Sequence, residues 1–128
     1  INPMREIIRA KTIYERISNI CEKISEVINI EIKVKPQNIY SIPDYVGAGY
    51  GVMTKECKEA INIVAKTEGI FLDPVYSGKA MAGLIDHIRR DRISKDSTVV
   101  FVHTGGNPLI FAYADELGFG TQFIKWLY

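Results

Sequence analysis

Hydrophobic positions recur at helical spacing in three long stretches of this chain and at strand spacing in one. Over about Met4 to Val27, Ile13, Ile17, Ile20, Cys21 and Ile24 form an apolar stripe, with Arg16, Glu22 and Lys23 on the other side. The spacing predicts a long helix, with Pro3 near its start, where a missing N–H costs nothing. Ile28, Ile30, Ile32 and Val34 then alternate with Asn29, Glu31, Lys33 and Lys35, the period of a strand with one buried face, and Pro36 ends it. A second helix is capped by Thr54, buries Cys57, Ala60, Ile61, Val64 and Ala65, and stops at Gly69 in the C′ position. A third runs from the Asp73–Gly78 turn to about Arg90, with Met81, Leu84, Ile85 and Ile88 inward. Asp91 to Ser97 is a polar connection. Thr98 to Val102 is continuously apolar, as in a strand buried on both faces of a parallel sheet. A short helix around Leu109 to Leu117 closes the pattern. Helix, strand, helix, helix, strand, helix is an α/β order, although two strands are few for a complete α/β domain.

Composition narrows the picture. The chain has 128 residues, enough for one domain, and 47% of them are hydrophobic, enough for a core. Sixteen basic residues against fifteen acidic ones leave a net charge of +1, which gives no reason to expect nucleic acid or an anionic membrane as partner. No apolar run approaches the ~18 residues of a membrane span, and the first residues lack the order of a secretory signal. Cys21 and Cys57 form no C-x-x-C pair and read as reduced core thiols of a cytoplasmic protein. Two histidines and two cysteines without ligand spacing offer no metal site.

Chemistry-bearing residues gather in the connections. From Gln37 to Met53 there is no helical period; Gly47, Gly49 and Gly51 alternate with Tyr45 and Tyr50 nearby. A loop this long in a small domain is usually functional or covered. Asp73-Pro74-Val75-Tyr76-Ser77-Gly78-Lys79 brings an acid, a phenol and a hydroxyl to a helix start. His103-Thr104-Gly105-Gly106 follows the second strand at its carboxyl end, where open α/β sheets place ligands. The spacing points to a pocket shared by the three clusters and says nothing of its chemistry. Taken singly, the residues have plain readings. Ser77 serves as a helix N-cap, Tyr50 packs on the core, and Lys79 is a solvated first-turn lysine. Asp73 bonds the N–H groups of its own turn, and His103 packs at a strand end.

The segments Tyr45 to Gly51, Thr67 to Leu84 and Phe101 to Gly106 together resemble the C-terminal third of the D-cysteine desulfhydrase and ACC deaminase family, in the family's order and spacing. The resemblance extends from about Asp44 to Tyr113, is weaker over the first helix and strand, and is absent in the tail, 118–128. It implies a fold type II pyridoxal-phosphate enzyme. This chain would then form part of the large, cofactor-binding domain, a partial three-layer α/β/α structure with a mostly parallel sheet. It also implies residue roles. Tyr76 and Tyr50 face the substrate as catalytic residues, Ser77 meets the pyridine nitrogen of pyridoxal 5'-phosphate, and Thr104 and Gly105 close the far side of its ring.

Within the family, ACC deaminases carry glutamate where this chain has Ser77, and D-cysteine desulfhydrases carry serine or threonine. A carboxylate there holds the pyridine nitrogen protonated and strengthens the electron sink; a hydroxyl does not. Loss of a thiolate asks less of the sink, so Ser77 leans the reading to β-elimination of D-cysteine. ACC deamination is the alternative, and a non-catalytic interaction module is another. The family's covalent lysine and phosphate-binding loop belong to its N-terminal part and have no counterpart in this sequence. The expectation is therefore a piece of an enzyme, inactive by itself, whose partners are an amino-acid substrate, the missing N-terminal part and, in the complete protein, a second subunit.

Overall fold

The structure, a computed structural model, describes the backbone of residues 3–119 and the side chains of residues 13–119. Most of the tail, 118–128, lies outside the described residues. The chain divides into two compact units, Ile1–Ile42 and Pro43–Tyr128.

The first unit is helix α1, Pro3–Ile28, followed by an irregular segment and a single 3-10 turn at Pro36–Asn38. The helix continues through Ile28, where the alternation predicts a strand to begin. Asn29 then turns the chain with a left-handed φ of 53°, which asparagine tolerates better than most residues. The segment after it has no regular secondary structure and enters no ladder among the described residues. Serine hydroxyls of α1 take up its backbone groups instead. Ser25 Oγ donates to Ile30 O and accepts from Ile32 N at 2.8 Å, while Ser18 Oγ donates to Val34 O. The isoleucine stripe of α1 is not a buried face here. Ile13, Ile17, Ile20 and Ile24 are all exposed, and in this unit only Ser18 is buried among the described side chains.

The second unit holds helices α2, Lys55–Glu68, and α3, Ser77–Arg89, packed against each other, and two one-turn helices, α4, Leu109–Ala112, and α5, Ala114–Leu117. Helix α2 starts and stops where its sequence says. Thr54 Oγ1 accepts the Cys57 N–H at 3.1 Å, and Gly69 ends the helix with φ 67°. The core is Cys57, Ile61 and Val64 of α2 with Leu72 and Leu117, flanked by Met53, Met81, Phe101, Ile110 and Tyr113. Its thiol is sealed in, and burial pushes the Cys57 pKa up to about 11.

Helix α3 departs from expectation. Its fully buried positions are Ser77, Gly78, Lys79, Ala82 and Gly83, while Met81, Leu84, Ile85 and Ile88 are only half-buried. Small residues win this face because neighbours come too close for larger ones. A Cβ on Gly78 would lie 2.6 Å from Asp73 O and 2.9 Å from both Cys57 Sγ and Ile61 Cγ1. The second expected strand, Thr98–Val102, has no regular secondary structure and no ladder partner among the described residues, and Val100 and Val102 are exposed. A parallel strand needs neighbours on both edges and helices on both faces. In this unit only Phe101 of the segment reaches the core.

The close approach at Gly78 has a measurable consequence. Gly78→Ala should destabilise the protein by about 1–3 kcal/mol, whereas Gly49→Ala should change it by less than about 0.5 kcal/mol, because a Cβ at Gly49 meets nothing within 4 Å. Urea unfolding of the two variants measures the difference; equal stabilities would contradict this packing.

Candidate functional site

The site is built around one buried carboxylate. Asp73 is fully enclosed, and its Oδ1 accepts the N–H groups of Val75 at 2.8 Å and Tyr76 at 2.7 Å. Its Oδ2 accepts Ser77 N–H at 2.7 Å and Ser77 Oγ–H at 2.5 Å. In return, Asp73 N–H donates to Ser77 Oγ at 2.8 Å, and Gly78 N–H donates to Asp73 O at 2.8 Å. Asp73 thus satisfies backbone donors at the start of α3 that would otherwise have no partner. Burial pushes its carboxyl upward, but the bonds from Ser77 Oγ and from the N–H groups of Ser77, Tyr76 and Val75 outweigh it and hold the group below the usual carboxylate range. This winding turns Ser77 inward and leaves the Tyr76 side chain outward, more than half exposed.

The glycine-rich loop reaches this turn from above. It is fastened at three points. Tyr45 OH donates to Asp86 Oδ2 at 2.6 Å with its ring lying on Gly83, where a Cβ would come within 2.9 Å. Lys79 Nζ donates to Val46 O at 2.6 Å and Gly49 O at 3.1 Å. Tyr113 OH donates to Gly51 O at 2.6 Å. Gly47 and Gly51 take the left-handed φ values, 72° and 75°, that the tight path requires. The loop then sets Tyr50 over Tyr76. Their hydroxyls lie 2.8 Å apart and their rings meet edge to face, 5.9 Å between centroids. The hydrogen bond with Tyr50 is the chief cause that raises the Tyr76 pKa above the ordinary phenol value, with desolvation second.

The third cluster packs on the same turn. Gly105 N–H donates to His103 Nδ1 at 3.0 Å, so the neutral ring carries its proton on Nε2, which donates to Phe71 O at 2.9 Å. Both ring nitrogens are spent on the backbone, and His103 is a loop fastener in this arrangement, with no lone pair free for a general base. Gly106, at φ 91°, lies so near Asp73 that a Cβ would come within 2.8 Å of its Cγ. Gly105, at φ 95°, faces open space, and Thr104 is exposed beside it. A hollow of about 540 Å³ opens here, lined by Gly69, Ile70, Phe71, His103, Gly105 and Gly106.

The structure brings the three clusters into contact through Asp73, although the hollow beside Gly105 is lined by none of Tyr50, Tyr76 and Ser77. Tyr50 and Tyr76 are in contact, Ser77 is the next residue along, and the His103–Gly106 loop touches the shared carboxylate. Three plain readings of single residues need correction. Tyr50 does not pack on the core but is largely exposed, with its hydroxyl on Tyr76. Ser77 is the first residue of α3, not its cap, and its hydroxyl bonds Asp73. Lys79 is not solvated but only 8% exposed. Its burial has a sequence signal in hindsight. Lys79, Ala82, Gly83 and Asp86 recur at i, i+3, i+4 and i+7, a face of small residues ending in polar ones, which lets another backbone come close. The fastening by Tyr45 and Tyr113 had no such signal, since it depends on contacts far apart in sequence.

The chain is similar to known proteins over most of its length. The sequence profile of a family described as pyridoxal-phosphate dependent enzyme matches residues 3–105. A solved structure described as an ACC deaminase homologue is 36% identical, with a TM-score of 0.61. The match covers 80% of this chain and 30% of that one, so the chain spans less than a third of the solved homologue.

A lowered carboxyl pKa lends stability that is present above the unfolded value of about 3.9 and lost as pH falls through the folded value. Asp73→Asn should cost about 2–4 kcal/mol at pH 7 and flatten the loss of stability below about pH 4. Urea unfolding between pH 7 and pH 3 checks both; identical pH slopes in the two proteins would contradict the role given to Asp73.

Proposed function

This chain belongs to the family of pyridoxal-phosphate-dependent enzymes, and we propose that it is part of a lyase that eliminates the thiolate of D-cysteine. The observation that carries the reading is a pair of hydrogen-bonded phenols, Tyr50 and Tyr76, standing next to a neutral hydroxyl, Ser77, at the position where the family resemblance implies glutamate for an ACC deaminase.

The residues present suit one wall of a site for pyridoxal phosphate. Gly105 offers a bare peptide face with nothing within 4 Å of where a Cβ would stand, room for a flat ring. Thr104 lies beside it as a further contact. Ser77 Oγ gives its proton to Asp73 Oδ2 and accepts from Asp73 N–H, so in this arrangement it has no proton left for an unprotonated ring nitrogen. To donate instead, Ser77 must release Asp73. Donation from the hydroxyl to the bare ring nitrogen is a neutral contact. Bound pyridoxal phosphate supplies an electron sink for the α-carbon of an amino acid. Tyr76 and Tyr50 are the groups of this chain that hold or move protons near the substrate. The Tyr76 phenol, protonated at neutral pH as phenols ordinarily are, can give its proton to a leaving or developing anion. Overall, D-cysteine and one water give pyruvate, ammonia and hydrogen sulfide.

The lysine that anchors the cofactor and the loop that holds its phosphate come, in this reading, from the rest of a longer protein. The same remainder supplies the strands that flank 30–35 and 98–102 and complete the parallel sheet. Exposed Val100 and Val102 fit that role, as does an apolar hollow of about 610 Å³ lined by Phe71, Pro108, Ile110 and Phe111. A dimer in the cytoplasm is the state proposed for the complete enzyme. Among the described residues no helix is long and apolar enough to cross a membrane.

ACC deamination is the second reading, favoured by the description of the solved homologue and opposed by Ser77. Assay of the complete enzyme decides between them. D-cysteine should give sulfide and pyruvate with a kcat/KM at least about a hundredfold above that for ACC, and Tyr76→Phe should lower kcat by about 10²–10⁴. Faster turnover of ACC would overturn the substrate assignment, and unchanged kcat in Tyr76→Phe would overturn the role of the phenol.

A further inference from the structure

Lys79 is a buried cation without a carboxylate partner among its hydrogen bonds. The residue is 8% exposed, and its ammonium donates to two backbone carbonyls, Val46 O at 2.6 Å and Gly49 O at 3.1 Å. Burying a lysine is costly unless its donors are satisfied, and a mere structural contact here is met as well by an apolar side chain. The two carbonyls sit on either side of the left-handed turn that leads into Tyr50. Gly49 is the residue immediately before Tyr50, and Tyr50 itself is largely exposed, with its hydroxyl on Tyr76. The phenol has little packing of its own to hold it, so its position is set by the backbone behind it.

Lys79 also belongs to the same helix start as Tyr76 and Ser77. One rigid turn therefore carries Tyr76 at one position and, three residues on, the cation that grips the loop bearing Tyr50. Tyr45 on Gly83 and Tyr113 on Gly51 fix the two ends of the loop, and Lys79 fixes its middle. Without the ammonium, the carbonyls of Val46 and Gly49 turn to water and the 2.8 Å contact between the phenols has no support from behind.

We propose that Lys79 is a positioning residue, which clamps the glycine loop so that Tyr50 stays hydrogen-bonded to Tyr76. Its catalytic consequence rests on the function proposed above; its structural consequence does not. The test uses the complete holoenzyme with Lys79→Met, with Lys79→Gln as a variant that keeps one donor, and with Tyr50→Phe, alone and combined.

Two readouts are taken. In the first, kcat should fall about tenfold in Lys79→Met and in Tyr50→Phe, with the double variant no slower than either, and with cofactor absorbance retained. Lys79→Gln should recover part of the loss. Additive losses, or wild-type kcat in a folded Lys79→Met protein, overturn the clamp. In the second, ¹³C NMR follows the titration of Tyr76 in labelled protein. Loss of the Tyr50 bond lowers the Tyr76 pKa toward the ordinary phenol value, whereas loss of a nearby positive charge alone raises it. A downward shift in Lys79→Met, smaller in Lys79→Gln, supports the clamp; an unchanged or upward shift in Lys79→Met overturns it. Should Tyr50→Phe leave turnover unchanged, the function assigned to the pair fails while the titration still decides the role of Lys79.

Discussion

Everything in the candidate site hangs from the carboxylate of Asp73. One side chain, sealed from solvent, accepts four hydrogen bonds from the three residues Val75, Tyr76 and Ser77. A buried charge persists only when it is paired or fully bonded, and here backbone and hydroxyl donors do the whole task without a cation. The geometry that follows is narrow. Pro74 is held in a fixed turn, Ser77 must look inward, Tyr76 must look outward, and α3 starts with its first N–H groups satisfied. Gly106 then has no room for a side chain, which brings the His103 loop onto the same carboxylate.

The second constraint is the small-residue face of α3. Gly78 admits α2, Gly83 admits Tyr45, and Lys79 takes hold of the loop between Val46 and Gly49. Helix and loop approach closely on that face and the two phenols meet at its end. The candidate site is thus carried by a turn and a loop pinned to a two-helix core. The motif residues and the core residues touch: Cys57 Sγ donates to Pro74 O at 3.4 Å.

Much of this was legible in the sequence, for identifiable reasons. Helix α2 was read correctly from cap to stop because Thr54 and Gly69 are local signals that need no tertiary partner. The family was legible because its motifs sit in the connections, where residue identity is set by chemistry and not by volume. The strands were not legible in the same sense. Alternation at Ile30 to Val34 and the valines at 99, 100 and 102 express what a sheet would bury, and within the described residues no neighbouring strand supplies the ladder. The isoleucines of α1 carry the same message of a face made for contact, yet they are exposed. Period tells which face wants burial; it does not tell whether the partner is in the chain. The burial of Lys79 is not legible for the converse reason, since its environment is made by a loop thirty residues away.

The central claim is that Tyr50, Tyr76 and Ser77 border one pyridoxal ring. A crystal structure of the complete protein with the cofactor bound tests it directly. It should place both phenol oxygens on the substrate side of the ring and Ser77 Oγ within about 3.5 Å of the pyridine nitrogen, with the Asp73 bonds to Val75 and Tyr76 intact. A ring bound elsewhere, with these three side chains facing solvent or another subunit, would contradict the claim.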